Sequence, residues 1–431
     1  MTRVLTNCFV YTGDATHRCI PDAAIRIDGG HIRWIGPRGA LPTGVDDEAM
    51  DCQGRVVMPG LVNTHTHGGL GLHRGVCDVG DFQAWAKVLS PHTSTLTIQD
   101  NRHGCELAVL EMLRNGITTA CDCTRYGADV FSEVARTIGM RSLSGALANS
   151  PNLRSAGRPN WPLALEETKR ALERRGSDPL CRFYVGAHSP YNCTPELLVE
   201  IKRAADDLGL PVVIHAAENR AEIEIVQQRH GCRPIAHLDR LGLLDSRALL
   251  AHCVWLDDDD LARLARSGAG VSHNPISNAK LAAGIAPVPA MRRLGIPVGL
   301  GTDSTLSNNS LNIFQEMKFA ALMQRASSLD GSLIENRDAL AMATLEGARA
   351  MGWDDEIGSL EAGKAADLIV LDLDHPLGLT AERVMSDLVY AAGPQHVRHV
   401  MVAGETVFAD GRFTRVDEGE ILGRIRRHYR S

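Results

Sequence analysis

Residues 59–67 read PGLVNTHTH. A short apolar run follows Pro-Gly and ends in two histidines separated by one threonine. The run has the length and the bounding turn residues of a buried strand. Side chains two apart on a strand face the same side, so His65 and His67 point together from its C-terminal end. Seven further runs of this kind follow, at residues 117–122, 142–146, 183–187, 212–214, 249–252, 270–272 and 298–301. Helical patterns at 162–175, 195–208 and 257–266 lie between them. Buried strands alternating with helices indicate the α/β class and a (β/α)8 TIM barrel. A doubly wound sheet shows the same alternation, so periodicity alone leaves it open.

Polar residues mark the ends of the runs. His188 follows the fourth, His215 follows the fifth, His252 ends the sixth and Asp303 follows the eighth. In a barrel the C-terminal strand ends converge on one face, where active sites sit. In an open sheet they would be spread along an edge.

Both ends of the chain read differently from the middle. Residues 4–11, 23–36 and a run ending at 56–60 alternate as strands, with Asp28-Gly29-Gly30 as a hairpin signal. Residues 366–372 and 399–408 return to that pattern, with a tight turn at Ala403-Gly404. The expected organisation is a composite β-sandwich from residues 1–58 and 358–431, around a barrel of residues 59–357.

The chain has 431 residues, 44% of them hydrophobic, which suffices for one large domain and a smaller one. Its net charge of −7 comes without any basic block. Nucleic-acid binding needs a concentrated basic face and is not expected. No apolar run is long enough to span a membrane, and the first residues lack a secretory core. The cytoplasm is the expected compartment. The 11 cysteines lack CxxC pairs and read as buried free thiols, not as a zinc knuckle or a disulfide framework.

The histidines carry the chemistry. Two imidazoles on one strand can reach a single metal ion, since neutral imidazole suits zinc and related metals. Each residue alone has a plainer reading. An HxH tripeptide is often accidental, His215 alone reads as a core or rim histidine, and Asp303 alone reads as a turn residue of Gly-Thr-Asp-Ser. At successive strand ends the four form one candidate ligand set. Glu218 lies three residues beyond His215, in HAAE, and can lean over the same site. A bound metal lowers the pKa of its water towards about 7, and a nearby carboxylate can relay protons. The plainer reading of Glu218 is a carboxylate favoured at a helix N-terminus.

The motifs PGLVNTHTH, HAAE (215–218), AHCVWL (251–256), SHNPISNAKL (272–281), GTDS (301–304) and IGSLEAGKAADLIVLD (357–372) recur together over nearly the full length. In that combination the chain resembles the amidohydrolase superfamily, in the branch of cytosine, guanine and S-adenosylhomocysteine deaminases and chlorohydrolases. The resemblance implies a barrel carrying one metal, with a β-sandwich made from both chain ends. It implies His65, His67, His215 and Asp303 as metal ligands and Glu218 as the proton shuttle. It places His252 against the attacking water or the developing tetrahedral centre, and His188 against substrate. The fourth strand ends in His188, not in a lysine suited to a bridging carbamate, which implies one metal ion. Zinc is expected first, with iron or manganese as alternatives.

Asn274 and Asn278 can hydrogen-bond a heterocycle, or can serve ordinary turn chemistry. Trp85 and Trp255 can stack on a planar ligand, or can pack into the core. The reaction that the resemblance implies is hydrolytic deamination of a purine, pyrimidine, pterin or triazine, with release of ammonia. Asp303 would accept the water proton, Glu218 would protonate the ring and the leaving amine, and His252 would stabilise developing charge. One segment departs from the family. LHRG (72–75) resembles the family's segment after HxH, yet Ser90-Pro91-His92-Thr93 supplies no carboxylate where nucleoside deaminases grip ribose. Two other classes stay open: a hydrolase with another leaving group, such as a chlorotriazine dechlorinase or cyclic amide hydrolase, and a non-catalytic metal-binding scaffold. The expected partner is a small heterocycle, and relatives of this kind are often homo-oligomers.

Overall fold

The computed structural model describes residues 2–42, 48–78, 80, 87–88, 95–124, 127–151, 161–373 and 378–429. Eight parallel strands pair in chain order: Leu61–Thr66, Ile117–Thr124, Arg141–Ala148, Val185–Ala187, Val212–Ala216, Leu249–His252, Gly270–His273 and Val298–Leu300. The last strand then meets the first. Thr66 and Asp303 form a parallel bridge, and the Asp303 N–H donates to the His65 carbonyl at 2.9 Å. Asn63 zips the same seam: its amide donates to Thr302 Oγ1 at 2.8 Å and its Oδ1 accepts the Thr302 N–H at 3.0 Å. This closure selects the barrel over the doubly wound sheet.

The run expected at 183–187 is two short strands, Cys181–Phe183 and Val185–Ala187, both against the third barrel strand. The interruption falls at Tyr184. Its ring is fully buried, and its hydroxyl lies 2.9 Å from the carbonyls of both Asp122 and Gly145. A buried phenol needs such partners.

The helices between strands follow from local signals. Thr194 caps Pro195–Leu208 by accepting the Leu197 N–H, Pro195 occupies the first turn, and Gly209 ends the helix at φ +65°. Leu197, Leu198, Ile201 and Ala205 form its buried stripe, and each large side chain there contributes about 1.5–3 kcal/mol of burial. Asp257 and Asp260 make a capping box at Asp258–Ser267. Among the described residues, no helix is long and apolar enough to cross a membrane.

Strands from both chain ends form one continuous second sheet. Its order is Arg412–Phe413, Glu405–Ala409, Val397–Val402, Leu368–Leu371, Val56–Pro59, Thr2–Tyr11, Cys19–Asp28 and His31–Pro37. The halves join where Leu368–Leu371 runs antiparallel to Val56–Pro59. The Glu48–Asp51 strand, with no strong sequence signal, adds parallel to Thr2–Tyr11. Val10, Ile25, Ile32, Leu368, Val370 and Met401 share one core. The two hairpin turns touch: a Cβ at Gly30, where φ is +80°, would stand 2.7 Å from the Ala403 carbonyl oxygen. Helices Ala381–Tyr390 and Glu418–His428 complete the C-terminal part.

A buried ion pair ties sheet to barrel. Arg141, at the start of the third barrel strand, donates through Nε and Nη2 to the two oxygens of Asp367, at 2.6 and 3.2 Å. Both side chains are 3% exposed, and Asp367 also accepts the Ala403 N–H. Breaking a buried pair from one side leaves an uncompensated charge, at a cost of about 3–5 kcal/mol. Asp367→Ala should therefore lower unfolding stability by about that amount in urea titrations; a loss within the range of an exposed pair would show that this link carries little.

Candidate metal centre

The first strand, Leu61–Thr66, is buried throughout, and it delivers His65 and His67 to the C-terminal face. The backbone fixes how each ring is presented. His67 Nδ1 lies 2.6 Å from the Cys123 carbonyl, and His215 Nδ1 lies 2.7 Å from the His188 carbonyl. A carbonyl only accepts, so both Nδ1 atoms carry the hydrogen and both Nε2 atoms of the neutral rings present lone pairs. Those two Nε2 atoms stand 3.4 Å apart. Asp303 Oδ1 lies 3.6 Å from His65 Nε2 and 3.5 Å from His67 Nε2.

These separations fit one ion. Donor atoms about 2.0–2.1 Å from a tetrahedral zinc lie roughly 3.3 Å from one another. His65 Nε2 is buried with no hydrogen-bond partner, as a ligand atom without its ion would be. The electrostatics agree. Burial works against charge on His65, yet the neighbouring Cys123 and Asp303 raise its pKa to about 9. Burial likewise opposes the Asp303 carboxylate, and the His65 and His67 imidazoles outweigh it and hold the group well below the usual range. The pocket thus favours positive charge between these residues. Three histidines and a carboxylate are a donor set for zinc or a related divalent ion.

Asp303 is held from the far side as well. Ser277 Oγ donates to its Oδ2 at 2.6 Å, and the Ser304 N–H donates to its Oδ1 at 2.7 Å. Several of the supporting turns are left-handed: φ is +53° at Ala217, +77° at His252, +46° at Cys253 and +56° at Asp303. Such conformations cost non-glycine residues about 1–3 kcal/mol each and persist where the surroundings over-determine them.

The other expected site residues cluster beside the four. His252 Nε2 lies 3.8 Å from Glu218 Oε1, and the His252 ring centroid is 5.5 Å from that of His65. The His188 ring is 4.9 Å from that of His215. Asn192 Nδ2 lies 2.9 Å from His188 Nδ1, with Ser189 Oγ at the same distance. An amide nitrogen only donates, so His188 Nδ1 accepts and its Nε2 carries the hydrogen.

Asn274 and Asn278 stand behind His252. Asn278 Oδ1 lies 2.8 Å from His252 Nδ1, and Asn274 Nδ2 lies 3.3 Å from the same atom. Asn274 is fully buried and also accepts from Ser272 Oγ. Trp255 donates Nε1 to the Ala283 carbonyl at 2.7 Å, with the Arg220 guanidinium 4.3 Å above its ring. Trp85 and Ser90–Thr93 lie outside the described residues.

Three supporting residues escaped the sequence reading. Cys123 serves both members of the HxH pair, with its carbonyl on His67 and its Sγ 3.2 Å from His65 Nδ1. Asp122 accepts the Gly68 N–H at 2.6 Å and so holds the turn after His67. Ser277 braces Asp303. The CDC tripeptide at the end of the second strand was the available signal for the first two. Nothing in the Ser277 surroundings marks a serine of that kind.

Residues 56–407 match the model of the amidohydrolase family. The chain is 39% identical to a 5'-deoxyadenosine deaminase of Methanopyrus kandleri, over 94% of each chain. It is also 39% identical to a 5-methylthioadenosine/S-adenosylhomocysteine deaminase of Syntrophobacter fumaroxidans, over 98% of this chain and 96% of that one. Among solved structures, an adenosine deaminase from Xanthomonas campestris with bound zinc superposes with a TM-score of 0.92 at 30% identity, over 98% of this chain and 97% of that one. The atrazine chlorohydrolase of Arthrobacter aurescens, at 22% identity and a TM-score of 0.90 over 98% and 99% of the two chains, shares the fold. On the family match and the near full-length identity with its relatives, the chain belongs to the amidohydrolase family.

Proposed function

We propose that this chain is a metal-dependent hydrolytic deaminase acting on the adenine ring of a nucleoside, with one zinc ion held by His65, His67, His215 and Asp303. The observation that carries the deaminase reading is the Glu218–His252 pair, 3.8 Å apart and beside that ligand set. The ring assignment is supported by relatives, 39% identical over nearly the whole chain, named as deaminases of adenosine derivatives.

When bound, the ion would supply a water whose pKa is lowered towards about 7. The rest falls to side chains. Asp303 accepts a proton from the attacking water. Glu218 takes up one proton of that water and delivers it to a ring nitrogen, and the second, accepted by Asp303, passes through Glu218 to the departing amine, which leaves as ammonia. His252 turns Nε2 towards the Glu218 carboxylate, with Nδ1 against Asn278 and Asn274. A hydrogen on that Nε2 would stabilise the negative oxygen developing at the attacked carbon. His188, with Nδ1 facing Asn192 and Ser189, turns its Nε2 side to an acceptor on the ring. Burial of Glu218 and His252, 6% and 1% exposed, keeps bulk water from competing for these protons.

Ammonia release from adenosine, 5'-deoxyadenosine, 5'-methylthioadenosine and S-adenosylhomocysteine, set against guanine, cytosine and a chlorotriazine, tests the proposal. Turnover is expected with the adenine-bearing compounds. Chloride release from the triazine with no ammonia from any aminated ring would sink it. Glu218→Gln should keep its metal and lose turnover by about 10²–10⁴-fold, the usual weight of a general acid–base group; a variant with metal bound and full kcat would remove Glu218 from the role. His67→Ala should purify with little metal by elemental analysis. For the parent protein, an ion at about 1,000 times its Kd adds about 4 kcal/mol of stability. Chelation should therefore lower the melting temperature of the parent and hardly move that of His67→Ala.

A further inference from the structure

The turn carrying Glu218 rests on a second buried carboxylate. Glu222 is 2% exposed. Its Oε1 accepts the Ala217 N–H and its Oε2 accepts the Glu218 N–H, both at 2.9 Å. In sequence, Asn219-x-x-Glu222 spells a capping box for the helix Arg220–His230, in which the glutamate would return to the N–H of the capping residue. Asn219 performs its half, accepting the Glu222 N–H at 3.0 Å. Glu222 does not. It reaches past Asn219 to the two N–H groups before it, one of them on Ala217 at φ +53°.

The same turn braces the end of the sixth barrel strand. The Ala216 carbonyl accepts the Cys253 N–H at 3.1 Å, and the Ala217 carbonyl accepts the N–H groups of both Val254 and Trp255 at 2.9 Å. His252 and Cys253 are themselves left-handed. A continuous set of contacts thus runs from the Glu222 carboxylate through peptides 217 and 218 to the turn that presents His252. It ends on the 3.8 Å gap between Glu218 Oε1 and His252 Nε2.

We infer that Glu222 is a positioning residue for this proton-transfer pair, setting the spacing of Glu218 and His252 by holding the left-handed turn between them. The inference rests on Glu218 acting as the proton carrier. Burial pushes the Glu222 carboxyl up to about 8, against the pull of the two N–H donors. Both of its oxygens are used as acceptors. Glutamine keeps the shape but turns an NH2 group towards a backbone N–H, so Glu222→Gln removes the grip without opening a cavity.

The test uses the full chain with metal content measured. Glu222→Gln should retain its metal and show kcat for ammonia release reduced by about 100-fold, the scale of a 1 Å misplacement, with KM little changed. In a Glu218→Gln background the same change should add almost nothing, because residues acting as one unit are non-additive. A merely structural Glu222 would instead multiply the two losses. A crystal structure of Glu222→Gln should show Ala217 out of its left-handed conformation and a longer Glu218–His252 distance. An unchanged turn in that structure overturns the inference whether or not adenine rings are the substrate, and so does full kcat at full metal occupancy. No ammonia from any ring with the parent protein would overturn the deaminase proposal instead, while the crystal comparison still decides on Glu222. If Glu222→Gln does not fold, Glu222→Asp keeps the carboxyl one methylene short. It should lose one N–H contact and part of kcat, and a parent-like kcat in that variant overturns the inference.

Discussion

The Asp303 N–H donates to the His65 carbonyl at 2.9 Å, and this contact sits where the eighth barrel strand meets the first. Two requirements coincide there. The seam satisfies the backbone groups of edge strands that would otherwise be left open. It also sets the carboxylate of Asp303 opposite the HxH pair, within 3.6 Å of both imidazole nitrogens. A slip of one residue would turn the strand's side chains to the opposite face, and the site would lose either both histidines or the aspartate. The Asn63–Thr302 exchange one step below makes that slip costly, because both side chains are fully buried. Ring closure and metal geometry therefore depend on one register.

That register leaves an electrostatic conflict for the metal to resolve. His67 and His215 each spend Nδ1–H on a backbone carbonyl, so their lone pairs meet at 3.4 Å. Asp303 adds a carboxylate to the same space. A cation removes the repulsion and gains from basicity already raised by the carbonyls behind the rings. Metal binding in such a site is part of the folding free energy. The acceptors behind His67 and His215 orient both rings for a shared cation.

Much of the barrel was legible because its strands are buried on both faces. The run at 249–252 is the strand Leu249–His252, and the helix at 195–208 is Pro195–Leu208 with its threonine cap and terminal glycine. Asp28-Gly29-Gly30 marked a real hairpin turn because glycine alone fits at φ +80° against the Ala403 carbonyl. Glu48–Asp51 was not legible, since it is a short and mostly exposed strand with little apolar pattern. At the site, strand-end histidines were visible as side chains, whereas their supports were not. The acceptors for His67 and His215 are main-chain carbonyls, which carry no sequence signal. Asn278 reads either as a heterocycle contact or as a turn residue, and its Oδ1 lies against the His252 ring. Glu222 reads as half of a capping box and serves the preceding turn instead.

These supports fall into two layers, and the division bears on how one fold can host several chemistries. His67 and His215 are oriented by carbonyls of neighbouring strands, at Cys123 and His188, so strand register keeps that part of the support, whereas His65 and Asp303 also rest on the Cys123 and Ser277 side chains. Glu218 and His252 are oriented by side chains, through Glu222 and Asn278. A shared fold does not by itself fix the reaction. On the proposed reading, the strand carbonyls behind His67 and His215 support the candidate ion site, and Glu222 and Asn278 support the proton-transfer pair beside it.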